Sequence, residues 1–324
     1  MDYVLVLKDG PGVDVAAIAD YVQRLSRLAN VIVVDSSGQD AFVAHHELFA
    51  SVTHVQPREG LHFANGKVNG VVTGLALCTS AKAVIADDDV RYTLDELRRV
   101  DELLECAELV RPQNYFRPAP WHARWDTART LLNRALTGGD YPGTLAVRVT
   151  DELRNDGYDG DVLFENLELI RTVRAAGGRE CVPLDLYVRR EPPTVRHFLR
   201  QRVRQAYDSQ AQPARLLVEL ALLPAATVAV RRPAWLLAGG LAAIGVAEFG
   251  RRRGGGAAYF SVSGSLLAPL WLAERAMCSW VALGSRALGG ASYSGRRISC
   301  PAHSVRRLRA RCAVRSAGVR VTGR

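Results

Sequence analysis

Three consecutive carboxylates, Asp87, Asp88 and Asp89, close the short apolar run Ala83 to Ala86 and precede a helix start at Thr93. Neighbouring carboxylates repel, so holding them together takes a cation or strong donors. Two readings are open: a solvated turn, or a metal and nucleotide site at the end of a sheet strand. Lys67, beside Gly66 and Gly70, can pair with phosphate, and those glycines permit either a close backbone approach or a turn. Asp35 ends another apolar run, where an aspartate serves as turn, helix cap or ligand contact. Glu165 opens an amphipathic segment, and an acid there also complements a helix dipole. Gln201, Arg202 and Arg204 sit in the basic stretch "RQRVRQ", either a solvated face or an anion contact. In "PAPWHARWDTAR", Trp121, His122 and Trp125 either line an acceptor pocket, where aromatic faces suit sugar rings or lipid chains, or begin a core helix.

These residues need elements to position them. "YVLVL" and "VIVVD" are short β-rich runs, and "VDVAAIADYVQRLSRLA" between them has helical spacing, giving a β-α-β unit with parallel strands. "AVIA" is a further strand. Thr93 and Glu96 form a capping box for the helix through "LDELRRVDELLECA". "AELVRPQNYF" and "GTLAVRV" read as strands, and "WDTARTLLNRAL" and "LFENLELIRTVRAAGG" as helices, the latter stopped by Gly177 and Gly178. The alternation predicts an α/β domain with a mostly parallel sheet.

Charge divides the chain. Residues 1–188 carry 19 Lys+Arg against 28 Asp+Glu, a balance of −9; residues 189–324 carry 23 Arg, no Lys and 5 acids, a balance of +18. The basic half holds apolar stretches at Leu216–Val230, Pro233–Phe249 and roughly 262–283, the first weakened by Glu219 and Pro224, the third by Glu274 and Arg275. Each is short or flawed as a span of ~20 apolar residues. Helices lying in the membrane interface, or a re-entrant hairpin, suit these lengths, and the flanking arginines favour a cytoplasmic membrane face. The alternative is a soluble helical subdomain. The tail from Arg286 is expected to be disordered. Six scattered cysteines with no metal spacing fit a reducing compartment. No secretory signal is evident at "MDYVLVLKDG". The arginines interleave with aliphatic runs rather than stacking aromatics, which disfavours nucleic acid.

Five pieces in order resemble the family 2 glycosyltransferases. "VIVVDSSGQD" is similar to their "VVDdgStD" loop, and "NGKVNGVVTGLALCTSAKAVIADDD" to the stretch ending in their DxD acids. "GTLAVR" resembles the acceptor-side strand, "LFENLELIRTVRAAGG" their Glu-Asp helix, and "RQRVRQ" their QxxRW motif; together these cover residues 31–207. The resemblance implies a GT-A fold, with a Rossmann-like, mostly parallel sheet over residues 1–207. Apolar membrane-associated helices would follow over 208–285, then the basic tail over 286–324. It implies Asp89 and Asp87 as ligands of Mg²⁺ or Mn²⁺. Asp35 would contact the nucleotide base, and Lys67, Asp87, Gln201, Arg202 and Arg204 the rest of the nucleotide sugar.

An inverting transfer also needs a carboxylate to take the acceptor hydroxyl's proton. Where the family has Glu-Asp, this chain has Glu165-Asn166, so Glu165 is the nearest substitute, and Glu168 reads as a surface or capping residue. The expected function is metal-dependent sugar transfer at the cytoplasmic face of the cell membrane. The donor would be a nucleotide-diphosphate sugar, UDP-linked first, and the acceptor a lipid-linked or envelope glycan. The rivals are a catalytically silent nucleotide-sugar scaffold, favoured by Asn166, and a nucleotidyltransferase.

Overall fold

The computed structural model describes residues 1–322. The expected β-α-β opening is present: β1 (Asp2–Leu7), α1 (Val15–Leu25) and β2 (Asn30–Asp35), with β1 and β2 paired in parallel. Asp14 caps α1 by accepting from the Ala17 amide, and Ile18, Tyr21, Val22 and Leu25 turn inward. Every residue of β1 is buried, as expected of a parallel strand covered on both faces. After α2 (Gln39–His46) and β3 (Thr53–Val55), α3 (Gly66–Leu77) lies directly on β1. A Cβ at Gly74 would stand 2.3 Å from Val4 Cγ1, and one at Gly70 2.7 Å from Val6 Cγ1. Gly70 therefore serves helix-on-sheet packing, and the close approach fixes Lys67 in the first turn of α3.

β4 (Lys82–Asp87) lies on the other side of β1, so the chain's direction of travel across the sheet reverses between β1 and β4. Ligands of open α/β sheets bind at such a switch point, beyond the carboxyl ends of the strands. β5 (Val90–Arg91) and α4 (Leu94–Leu103) follow, with the Thr93–Glu96 capping box formed as expected. "AELVRPQNYF" makes two strands, β6 (Leu109–Val110) and β7 (Gln113–Phe116), in different sheets. Beyond α5 (Trp121–Leu136), β8 (Thr144–Arg148) runs antiparallel to both β4 and β6. Then come α6 (Asp151–Asp156), α7 (Glu165–Ala175), β9 (Glu180–Cys181) and β10 (Tyr187–Arg190). The main sheet has the order β3-β2-β1-β4-β8-β6-β9, and a small second sheet the order β5-β10-β7.

The arginine-rich half packs onto this domain. α8 (Val195–Asp208) leads to α9 (Pro213–Ala229), α10 (Pro233–Arg252), α11 (Val262–Leu266) and α12 (Ala268–Ala287). Ala243 and Ala247 of α10, with Phe260, Ala268 and Trp271, share a core with Ala128, Leu131 and Leu132 of α5. Contact is closest at Gly250, where a Cβ would lie 2.0 Å from the Leu131 carbonyl oxygen. Glu219, a flaw in an apolar helix by sequence, turns inward and accepts from Ser279 Oγ at 3.0 Å. The free end of the α9–α10 hairpin is different. Val228, Trp235, Leu237 and Leu241 are between 60% and 74% exposed, with Arg231 and Arg232 at the turn.

The tail from Arg286, expected to be disordered, carries regular structure over its described residues, with 323–324 lying outside them. β11 (Ala291–Tyr293) and β12 (Arg296–Ile298) form a hairpin, and α13 (Val305–Thr322) follows. Backbone amides of Leu163 and Phe164 donate to the carbonyls of Cys300 and Pro301 at 2.9 and 2.8 Å. The His303 ring and backbone amide both bind Glu168, at 2.8 and 2.7 Å. Glu168 is therefore fully buried rather than a surface residue. Composition missed this because the order rests on a few anchors, His303 and Leu308 among them, rather than on an apolar run.

Candidate active site

A cavity of about 2170 Å³ opens at the carboxyl ends of β1, β2 and β4, running from Asp35 past Lys67 and Asp87–Asp89 to Glu165 and Gln201. Single small-molecule sites occupy about 300–1,000 Å³, so two substrates fit here together. Asp35, at the end of β2, is fully buried. His45 Nδ1 lies 2.7 Å and His54 Nε2 3.3 Å from its Oδ2, and the Ser37 amide donates to its Oδ1 at 2.9 Å. Burial pushes the Asp35 carboxyl upward, but the hydrogen bonds from Ser37, His45 and His54 outweigh it and hold the carboxyl below its ordinary value.

Lys67 is the hub of the next cluster. Its Nζ sits 2.6 Å from Asp87 Oδ1 and 2.7 Å from Glu165 Oε1. Burial disfavours the ammonium, yet Asp87 and Glu165 prevail and raise its pKa above the ordinary lysine value. Asp89 is gripped from the other side: Arg190 Nε and Nη2 reach its two oxygens at 2.8 and 2.7 Å. Strand register explains the grip, because β10 pairs with β5 so that Arg190 stands opposite Val90. Asp88, between them, is pushed up to about 7 by burial and then by repulsion from Asp89 and Asp87. Asp87 and Asp89 offer carboxylate oxygens, the donor type that a hard divalent ion takes.

Further lining residues come from α5, α7 and α8. On α8, His197, Gln201, Arg204 and Asp208 follow helical spacing and all line the cavity. Arg204 lies 5.2 Å over the Tyr293 ring. His197 contacts Gln201, and burial followed by the Arg204 charge lowers its pKa below the ordinary histidine value. Arg202 is the buried member of the segment: its Nη1 donates to Asp126 Oδ1 at 3.0 Å, and its guanidinium stacks 4.0 Å from the Phe198 ring. Asp126 is pushed up by burial but held below its ordinary value by Arg129 and Arg202. Asn166 donates to the Pro142 carbonyl at 3.0 Å.

The cavity thus brings together Asp35, Lys67, Asp87, Asp89, Glu165, Gln201, Arg202 and Arg204. Trp121 and His122 are not among its lining residues. Trp121 is 53% exposed, and His122 Nε2 bonds the Pro193 carbonyl at 2.8 Å, so both serve the packing of α5 on α8. Sequence reasoning missed Arg190, His197 and Asp208. The last two repeat with Gln201 and Arg204 on one helix face, a periodicity that was available in the sequence; Arg190 gave no comparable local signal.

Among solved structures, the chain is similar to the mannosyltransferase PcManGT from Pyrobaculum calidifontis, solved in complex with GDP-Man and Mn²⁺. The likeness covers 86% of each chain at 18% identity, with a TM-score of 0.53. Glucosyl-3-phosphoglycerate synthase from Mycobacterium tuberculosis matches over 61% of this chain and 75% of its own at 17% identity, with a TM-score of 0.38, too loose to argue from. No family model matches the chain, and no curated protein does. The likeness to the mannosyltransferase establishes the fold, which is that of the GT-A glycosyltransferases.

Proposed function

We propose that this chain is a metal-dependent inverting glycosyltransferase of the family 2 type. It moves a sugar from a nucleotide-diphosphate sugar, UDP-linked first, to the hydroxyl of a lipid-linked or envelope-glycan acceptor. The observation that carries this reading is the Lys67, Asp87–Asp89 and Arg190 cluster at the switch point of a GT-A sheet, in one cavity with Asp35 and the α8 face. The similar mannosyltransferase holds GDP-Man and Mn²⁺, which supports the same ligand classes here.

Asp35 sits where the base end of the nucleotide is held, with its carboxylate kept ionised and fixed by His45 and His54. Lys67 and Arg190 bring fixed positive charge beside the diphosphate path. Asp87 and Asp89 are the residues that would hold Mg²⁺ or Mn²⁺, which when bound neutralises charge on the departing diphosphate. Glu165 shares Lys67 with Asp87, so its present contact positions that lysine. Gln201 and Arg204 face the cavity farther along and suit the acceptor side.

The exposed hairpin supports a place at the cytoplasmic face of the cell membrane. Its lower end is committed to α5, leaving residues 233–242 of α10 free. Those span only about 15 Å, half of a ~30 Å hydrocarbon core. They lie in the interface, where Trp235 and the Arg231-Arg232 pair meet headgroups. The test is release of nucleoside diphosphate from a panel of nucleotide sugars with MnCl₂ and a phospholipid extract as acceptor source. Release that requires Mn²⁺ and is lost in Asp89→Asn supports transfer; donor uptake without release favours a silent scaffold, and no uptake refutes the proposal.

A further inference from the structure

We infer that Asp208 is the general base of the transfer, the group that removes the acceptor hydroxyl's proton. The inference rests on the transferase reading above and supplies the residue that Glu165-Asn166 leaves undecided.

Geometry carries it by elimination. The other carboxylates along this part of the cavity are engaged: Asp87 and Glu165 by Lys67, Asp89 by Arg190, and Asp126 by Arg129 and Arg202. Asp88 lies between the two candidate ion ligands. Asn166 carries no carboxylate, and its amide is bound to Pro142. Glu168 is sealed behind the site against His303.

Asp208 differs from all of these. It lines the cavity at the end of α8, on the face that carries Gln201 and Arg204, and its Oδ1 is shut off from solvent with no hydrogen-bond partner among the described residues. An unpartnered sealed carboxylate oxygen is costly, and such cost concentrates where a ligand or a reaction uses the group. The charged groups that act on it come from four elements: Arg204 on its own helix, Glu165 on α7, Arg275 on α12 and Arg129 on α5. Burial, only partly offset by Arg204, pushes its carboxyl up to about 7. That value suits a proton acceptor working near neutrality.

In the transfer, the acceptor O–H bond breaks and its proton passes to the Asp208 carboxylate. The freed oxygen pair forms the new bond to the anomeric carbon. The bond from that carbon to the diphosphate oxygen breaks, and its electron pair leaves with the nucleoside diphosphate. With water as acceptor, the same balance gives the free sugar.

The test compares the full-length wild type with Asp208→Asn and Asp208→Glu, using UDP-glucose and GDP-mannose within a wider donor panel. Donor affinity, nucleoside diphosphate release from pH 5 to 9 and thermal unfolding are measured for each. We expect Asp208→Asn to bind donor within about twofold of wild type and to unfold at no lower temperature, because it removes a poorly compensated charge. Its turnover should fall about 10²–10⁴-fold, the usual contribution of general acid–base catalysis. The activity rise near pH 7 should vanish, whereas Asp208→Glu should keep partial turnover with a displaced rise. Turnover near the wild-type rate in Asp208→Asn overturns the inference, as does loss of activity together with donor binding or fold. Wild type that takes up no donor overturns the underlying reading and the base with it, and that failure is visible without any variant.

Discussion

Replacing Lys67 with methionine keeps the length of the side chain and removes the charge at the centre of the site. Lys67 Nζ lies 2.6 Å from Asp87 and 2.7 Å from Glu165, and the three side chains keep only 18%, 22% and 14% of their surface exposed. Breaking a fully buried pair from one side costs about 3–5 kcal/mol. With about a fifth of each side chain solvated, the expectation here falls to about 2–3 kcal/mol. For a chain of this size that lowers Tm by about 3–4 °C. Without the lysine, Glu165 loses its ion-pair partner and Asp87 keeps only Arg190 Nη2 at 3.5 Å, beside Asp88 and the Arg190-held Asp89. Ionised carboxylates left without their cation repel one another, so the loss should be larger in mildly alkaline than in mildly acidic buffer. Millimolar MnCl₂ should recover more Tm in Lys67→Met than it adds to wild type, because the ion replaces the missing charge. Differential scanning fluorimetry across pH, with and without MnCl₂, measures all three effects. A Tm within 1 °C of wild type, or a loss indifferent to both pH and Mn²⁺, would refute the reasoning.

Other expectations follow from packing and charge. Gly250→Ala places a methyl 2.0 Å from the Leu131 carbonyl, a backbone atom that cannot turn aside, so α10 should be driven off α5 at a cost of at least about 3 kcal/mol; urea unfolding and limited proteolysis of residues 213–260 check this. His303→Ala removes a donor from the buried Glu168 carboxylate and should cost about 2–3 kcal/mol, with residues 300–312 becoming protease-sensitive. The full-length chain should sediment with vesicles containing anionic phospholipid, and Arg231→Glu with Arg232→Glu should weaken this at least tenfold while leaving Tm unchanged; equal sedimentation of both proteins would remove the hairpin from the membrane. Asp126 and Asp140 are held below their ordinary values against the pull of burial, by Arg129 with Arg202 and by Arg129 with Thr130 respectively. Such depressed groups stabilise above the ordinary carboxylate range and lose that stabilisation as pH falls through their folded pKa, so acid unfolding should set in below about pH 4.

Local pattern exposed the parts of this fold that local physics controls. The buried run of β1, the amphipathic α1 and the Thr93–Glu96 capping box are properties of adjacent residues, and all three formed as read. The direction of β8 was not legible, because a short apolar strand carries no mark of parallel or antiparallel pairing. Nor was the Arg190–Asp89 clamp, whose partners are 101 residues apart and meet only through β5–β10 pairing. Glu168 misled for a related reason: an acid on the first turn of a helix looks solvated until His303 arrives from the far end of the chain. Trp121 and His122 have the side chains of an acceptor wall but belong to the packing of α5 on α8. Asp208 was hidden by its basic neighbours, although it shares a helix face with Gln201 and Arg204.

Titration calorimetry with UDP- and GDP-sugars, in the presence and absence of MnCl₂, tests the central claim most directly. Saturable uptake of at least one donor is expected only with the cation, weakened at least tenfold in Asp89→Asn. Heat of binding that is the same with and without Mn²⁺, or that survives the loss of Asp89 unchanged, would contradict a cation-bridged donor site at the end of β4.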